Sequence, residues 1–273
     1  VAPLALLPAG VAYLLFVTAT LTIYLLTLRA IAGKNFAQIL VVMFPALAIT
    51  VGCGQNGFLT GALLGLICLD VERRQVLAGP ALGAMVIKPH LAIAAGVYML
   101  AARRWAALAT ATVFVLASSL ICTLVFGWQI WTVWLGAIRE SAIFLEHGLY
   151  PLFRMISAYA AVARAGVPPT FAFWAQAIVA CFALFAVVLP ARLGAARKMS
   201  PTFALGITAM VSVMISPYAY NYDLPMVGIG LALLLPDLPQ LASARTQPHL
   251  WTDPARRRLR HASVGTHGGT VWE

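Results

Sequence analysis

The chain has 273 residues, 62% of them hydrophobic and only 10% charged, and its 18 Lys and Arg against 8 Asp and Glu give a formal net charge of +10. That composition excludes an ordinary soluble domain and points to a polytopic helical membrane protein. The positive residues collect between apolar runs and in the C-terminal tail, so they report membrane topology and nucleic acid is not an expected partner.

The first residue is Val1, not methionine, and no basic region precedes the first apolar run. The chain is therefore read as the trailing part of a longer protein. Leu4 to Leu28 is uncharged and long enough to cross a bilayer, and it ends at Arg29 and Lys34, which assigns that end to the cytoplasm. Phe36 to Leu69 is a second apolar stretch, interrupted by Gly52-Cys53-Gly54-Gln55-Asn56-Gly57 and closed by Glu72-Arg73-Arg74.

Gln75 to Ala101 repeats the pattern. It is free of charge except at its centre, Lys88-Pro89-His90, and is followed by Arg103-Arg104. With basic clusters at both ends, the stretch is expected to enter and leave on the cytoplasmic side. Each limb, about a dozen residues, spans roughly 18 Å as helix, against about 30 Å of hydrocarbon. Pro89 suits the apex, because proline donates no backbone hydrogen bond and disfavours helix at the residue before it.

Trp105 to Phe126 is expected to span outward. Trp128, Trp131 and Trp134 then share one helical face and suit a membrane-water interface, followed by Arg139, Glu140, Glu146, His147 and Arg154. Thr170 to Leu189 returns to Arg192, Arg197 and Lys198. Pro201 to Ile215 rises to Ser216-Pro217-Tyr218-Ala219-Tyr220-Asn221-Tyr222-Asp223, and Leu224 to Leu235 descends. The expected fold is all-α, with about seven to nine transmembrane or half-membrane helices in a domain over 1–236. Residues 237–273, which include Arg256-Arg257-Arg258-Leu259-Arg260, read as a disordered basic cytoplasmic tail in reach of anionic lipid.

The four cysteines, Cys53, Cys68, Cys122 and Cys181, lie scattered in apolar segments without a CxxC or a histidine at ligand spacing. They predict neither a disulfide framework nor a metal site.

The three hairpins place three polar turns on one side: Gln55-Asn56, Lys88-Pro89-His90 and Tyr220-Asn221-Tyr222-Asp223. Irregular backbone at membrane depth needs protein or a water-filled cavity around it, so a shared polar cavity is the economical expectation. Its inventory is a cation, an imidazole, two amides, two phenols and a carboxylate, which suits a phosphate-bearing lipid and a hydroxyl-rich sugar. Plainer roles stand beside this one. The glycines at 57, 61 and 65 and at 79 and 83 form ridges that let helices pack closely. Gln55 and Asn56 could turn or cap two helices, Lys88 could snorkel, His90 could start a helix, and Asp223 could cap the one beginning at Leu224. Arg139 and Arg154 suit the interface, though either could assist with phosphate. A secondary transporter with interrupted helices, or a non-catalytic remnant, would share much of the pattern.

Gly54-Gln55-Asn56-Gly57 with Leu63-Leu64, Val76-Leu77-Ala78-Gly79, Lys88-Pro89-His90, Ala102-Arg103-Arg104-Trp105, Phe126-Gly127-Trp128, Ser216-Pro217-Tyr218 and Tyr222-Asp223 together resemble glycosyltransferase family 87. The likeness runs from roughly Phe36 to Leu235. It implies a multi-pass cell-membrane enzyme of the GT-C class, working on the extracytoplasmic side. The donor would be a polyprenyl-phosphate sugar, with mannose first among the hexoses, and the acceptor a glycan or glycolipid. No cofactor is implied beyond the lipid-phosphate donor itself. Lys88, with Arg154, would bind the donor phosphate, and Gln55, Asn56, His90, Tyr220, Tyr222 and Asp223 would hold substrate. Such enzymes are expected to carry a general base in their first extracytoplasmic loop, yet nothing before Phe36 is acidic. The base is therefore expected on a preceding segment, with His90 and Asp223 as weaker candidates.

Overall fold

A backbone inside a bilayer must pair its polar groups within itself, and this chain does so by folding as helix almost throughout. The computed structural model describes residues 2–197 and 200–237, and among these the β structure is one isolated antiparallel bridge, Met155 to Tyr220. The described residues up to Leu234 form one compact unit. The expected basic tail beyond Asp237 lies outside the described residues.

Helix α1 (Ala9–Ala32) and helix α2 (Phe36–Cys53) are joined by a short 3-10 turn, Gly33–Asn35, entered through Gly33 at φ 52°. They run antiparallel, since the Tyr13 hydroxyl near the start of α1 donates to the Val51 carbonyl near the end of α2 at 2.6 Å. Helix α3 (Gly57–Asp70) follows a left-handed Gly54 at φ 61°. Glycine tolerates that backbone without steric cost.

Helix α4 (Gln75–Ala84), a 3-10 turn (Met85–Ile87) and helix α5 (Pro89–Ala101) form the Lys88 hairpin, with Pro89 in the first turn of α5 as expected. Next come α6 (Trp105–Phe126), α7 (Gln129–Glu146), the short α8 (Ala158–Arg164), α9 (Pro169–Arg197), α10 (Pro201–Val211) and α11 (Pro225–Leu234). Eleven α-helices are thus described, more than the seven to nine membrane elements expected. The difference lies in α7 and α8, which are not among the long or short apolar helices. Among the described residues, three segments are long and apolar enough to cross a membrane: Ala9–Cys53, Trp105–Phe126 and Pro169–Arg192.

The small-residue ridges act in packing. A Cβ at Gly79 of α4 would lie 1.9 Å from Thr110 Oγ1 and 2.4 Å from the Ala107 carbonyl oxygen, and one at Gly83 would lie 2.9 Å from the Ala111 oxygen. Helices α4 and α6 therefore touch backbone to backbone, which larger residues would prevent. On the other side of the unit, the fully buried Tyr24 of α1 packs its ring against Phe58 of α3 and donates its hydroxyl to the Pro225 carbonyl of α11 at 3.0 Å.

The hairpin feet also meet. Glu72, in the α3–α4 turn, accepts from Tyr98 Oη at 2.8 Å and forms an ion pair with Arg104, in the α5–α6 turn. This clamp closes the end of the bundle opposite Lys88.

Candidate functional site

Lys88 precedes a proline and is held out of helical conformation, at φ −142° and ψ 71°, between two helical limbs. Its Nζ lies 2.5 Å from Asp223 Oδ1, and the two side chains are 13% and 0% exposed. The same Nζ stands 4.5 Å from the centroid of the Tyr222 ring, a cation–π distance. Tyr222 in turn stacks on Tyr220, with centroids 5.1 Å apart and planes at 5°.

The second carboxylate oxygen of Asp223 accepts from the Tyr220 backbone N–H at 3.0 Å. Asp223 therefore ties down its own turn, Asn221–Asp223, and its two oxygens are taken by Lys88 and that N–H. This resolves why a lysine is tolerated at the hairpin apex. A charge removed from water is costly unless an opposite charge and further hydrogen bonds compensate it. Asp223 supplies the opposite charge, and the Tyr222 ring face adds to it.

The Gln55-Asn56 turn is seated on the same loop. A Cβ at Gly57 would fall 1.7 Å from the Tyr222 carbonyl oxygen, so only glycine lets the start of α3 approach that carbonyl. Thr50 Oγ1 of α2 donates to the same oxygen at 3.3 Å. Asn56 precedes α3 without a side-chain capping bond, and it is half-buried while Gln55 is exposed. Arg154 joins from a third direction, its Nη2 donating to Cys53 Sγ at 2.8 Å. The segment around it is stitched to the tyrosine turn by the Met155–Tyr220 bridge and by the Ile156 N–H, which donates to the Ala219 carbonyl at 2.9 Å.

All three polar turns thus converge, with Arg154, on the loop 216–223. Two buried polar atoms in the region have no hydrogen-bond partner, His90 Nε2 and Asn221 Oδ1. His90 lies within electrostatic reach of both Asp223 and Lys88. Arg139 and Glu140 are exposed on α7. Burial, followed by neighbouring tyrosines, pushes the Tyr218 and Tyr220 hydroxyls above their ordinary range, while the Arg154 charge partly counters this at Tyr220.

Sequence reasoning overlooked Gln176. It lies inside the apolar run of α9, is 4% exposed, and donates Nε2 to the Met214 and Ile215 carbonyls at 2.8 and 3.0 Å. Its Oε1 accepts from the Tyr159 N–H at 3.2 Å. One amide therefore holds the end of the α10 segment, just before the site loop, against α8 and α9. A lone amide in an otherwise apolar span was the available signal. Asn221 was read only as part of the third polar turn, and Cys53 only as one of four cysteines scattered in apolar segments.

Among the described residues no group of three His, Cys, Asp or Glu side chains is placed to hold a metal ion. A family model described as Glycosyltransferase family 87 matches residues 1–217. The match starts well before Phe36 and stops just short of the Tyr218–Asp223 turn. No curated protein and no solved structure matches the chain.

Proposed function

The chain belongs to glycosyltransferase family 87, whose members use polyprenol-phosphate sugars, and we propose that it helps transfer a hexose, with mannose the first candidate, from such a donor to an extracytoplasmic glycan or glycolipid. The observation that carries this reading is the Lys88–Asp223–Tyr222 cluster at the convergence of three polar turns. A cation held on an aromatic face beside unpartnered polar atoms suits a phosphate group and the hydroxyl-rich sugar attached to it.

In the proposed reaction an acceptor hydroxyl attacks the anomeric carbon, the bond from that carbon to the phosphate oxygen breaks, and the lipid phosphate leaves with the electron pair. Lys88, assisted by Arg154, stabilises the charge gathering on the phosphate. His90, Gln55, Asn56, Tyr220 and Tyr222 orient the sugar and the acceptor. Asp223 is a poor candidate for the general base, because both of its oxygens are engaged. The base is expected from a carboxylate preceding the Gln55 turn in a longer protein, since none occurs in this chain before Phe36.

The test uses membranes from cells expressing the chain alone or with its upstream coding segment, supplied with radiolabelled polyprenyl-phosphate mannose and an extracted acceptor. Label moving into acceptor with the extended protein, and much less with the chain alone, is the expected result. Failure of the extended protein with every hexose donor, together with uptake of a free solute into vesicles, would replace the reading with a transporter.

A further inference from the structure

Among the described residues, helix α7 is the one long helix whose apolar side is neither buried nor part of an apolar span. At 100° per residue, Ile130, Trp131, Trp134, Ile138 and Leu145 fall on one arc, broken only by Ser141, and Gln129, Thr132, Arg139 and Glu140 fall on the opposite one, with Gly136 and Ile143 between them. A soluble helix of this pattern buries its apolar arc against protein, yet Leu145, at the far end, is the only buried residue of α7. Trp134 and Ile138 are 51% and 48% exposed.

We propose that α7 lies in the membrane-water interface, with this arc sunk into the boundary between lipid headgroups and acyl chains. The occupant follows from what α7 is joined to. Helix α6 ends at Gly127, whose φ of 77° turns the chain, and α6 is apolar and almost wholly uncovered, with Ala107 and Ala111 its only buried residues. Trp131 Nε1 donates to Thr123 Oγ1, in the last turn of α6, at 2.9 Å. The base of α7 is therefore pinned to the end of a helix whose surface away from α4 is apolar and exposed. Indole rings favour this depth, since they combine a large apolar body with one N–H donor. At about 1.5 Å per residue α7 would cover roughly 27 Å of membrane surface.

The far end of α7 leads back to the candidate site. Tyr159 Oη donates to the Leu145 carbonyl at 3.2 Å, and the intervening segment pairs with Tyr220 through the Met155 bridge. The interfacial helix would thereby set the depth of the Lys88 cluster at the level of lipid phosphates. Only this consequence rests on the proposed donor; the seating of α7 requires no more than that the chain is membrane-embedded.

The test is made on the full chain, with its cysteines replaced, in phosphatidylcholine and phosphatidylglycerol nanodiscs. Nitroxide labels are placed singly at Trp134→Cys, Ile138→Cys and Glu140→Cys, and collision with oxygen is compared with collision with a water-soluble nickel chelate. The expected result is oxygen dominating at 134 and 138 and nickel dominating at 140. Nickel dominating at all three would place α7 in water, and labels at 134 and 138 shielded from both would mean that protein covers the arc; either overturns the proposal. If a label unfolds the chain, quenching of native tryptophan fluorescence by lipids brominated near the glycerol takes its place. That quenching should fall in a Trp131→Phe, Trp134→Phe protein, and no fall would equally refute the seating. Both readouts are independent of transfer activity, so they stand whether or not the glycosyl-transfer reading does.

Discussion

Lys88 Nζ and Asp223 Oδ1 stand 2.5 Å apart although 135 positions separate the residues in the chain. The pair joins the apex of the α4–α5 hairpin to the turn before α11, and it therefore has both a structural and a proposed chemical role, which charge exchange separates. Removing one member of a buried pair costs about 3–5 kcal/mol because the other charge is stranded. Lys88 retains some solvent contact, so the lower end of that range is expected. Asp223→Asn and Lys88→Met should each lower the thermal midpoint in detergent and, in the protein extended by its upstream segment, abolish transfer. The Lys88→Asp, Asp223→Lys exchange should recover most of the lost midpoint while transfer stays absent, because the cation is then displaced from the Tyr222 face. Recovery of transfer with the exchanged pair would reduce Lys88 to a structural residue.

Gly57→Ala should be among the most damaging single-methyl additions to the protein. The new carbon would meet the Tyr222 carbonyl oxygen at 1.7 Å, a backbone atom that no side-chain rotation can clear. Overpacking typically costs about 1–3 kcal/mol, and here the strain passes directly into the loop that positions Asp223. Thermal unfolding should show the loss. Donor binding should weaken beyond what a Gly10→Ala control shows, since a Cβ at Gly10 meets nothing within 4 Å.

Gln176→Leu should destabilise the link between α9 and the site loop. It would strand the Tyr159 N–H and two carbonyls, at about 1–3 kcal/mol for each buried group left without a partner. Gln176→Glu should be less damaging to the Tyr159 contact but should lose both bonds to Met214 and Ile215, because a carboxylate does not donate. Hydrogen exchange at residues 214–216 and at Tyr159 distinguishes the two outcomes.

The pH response of the tyrosine turn has a definite sign. Tyr218 and Tyr220 have hydroxyls raised by burial above the unfolded value of about 10, so between the two values the folded state holds protons that the unfolded state has released. Their contribution to stability is complete below about pH 10 and is lost as pH rises through the folded values. Tyrosinate absorbance should consequently rise later for the folded protein than for the denatured chain. Tyr220→Phe should flatten the fall in stability above about pH 10.

Local chemistry was legible in the sequence and long-range pairing was not. The break at Lys88-Pro89 is a property of adjacent residues, and it appears where the proline requires it. The ridges at Gly79 and Gly83 were readable as close-packing surfaces, and they meet α6 backbone to backbone. The counter-charge for Lys88 was sought in a ligand, because nothing in an apolar hairpin signals that a carboxylate distant in sequence will arrive beside it. Gln176 was hidden for a related reason: one amide barely disturbs an apolar run, and its importance comes from three backbone groups belonging to other segments. The convergence of the polar turns was inferred from the parity of the spans. The contacts that bring them together, through Tyr222 and the Met155 bridge, depend on backbone atoms that any residue type offers.

The two ion pairs at opposite ends of the α4–α5 hairpin have an electrical consequence. A lone charge carried through the full membrane voltage gains or loses about 2.3 kcal/mol per 100 mV. Lys88 with Asp223, and Arg104 with Glu72, each sum to zero over a few ångströms, so a transmembrane voltage exerts almost no net pull on either pair. An incoming anion would bring uncompensated charge to the Lys88 end, so voltage would act there mainly on the cargo and leave the ion-paired hairpin largely unmoved.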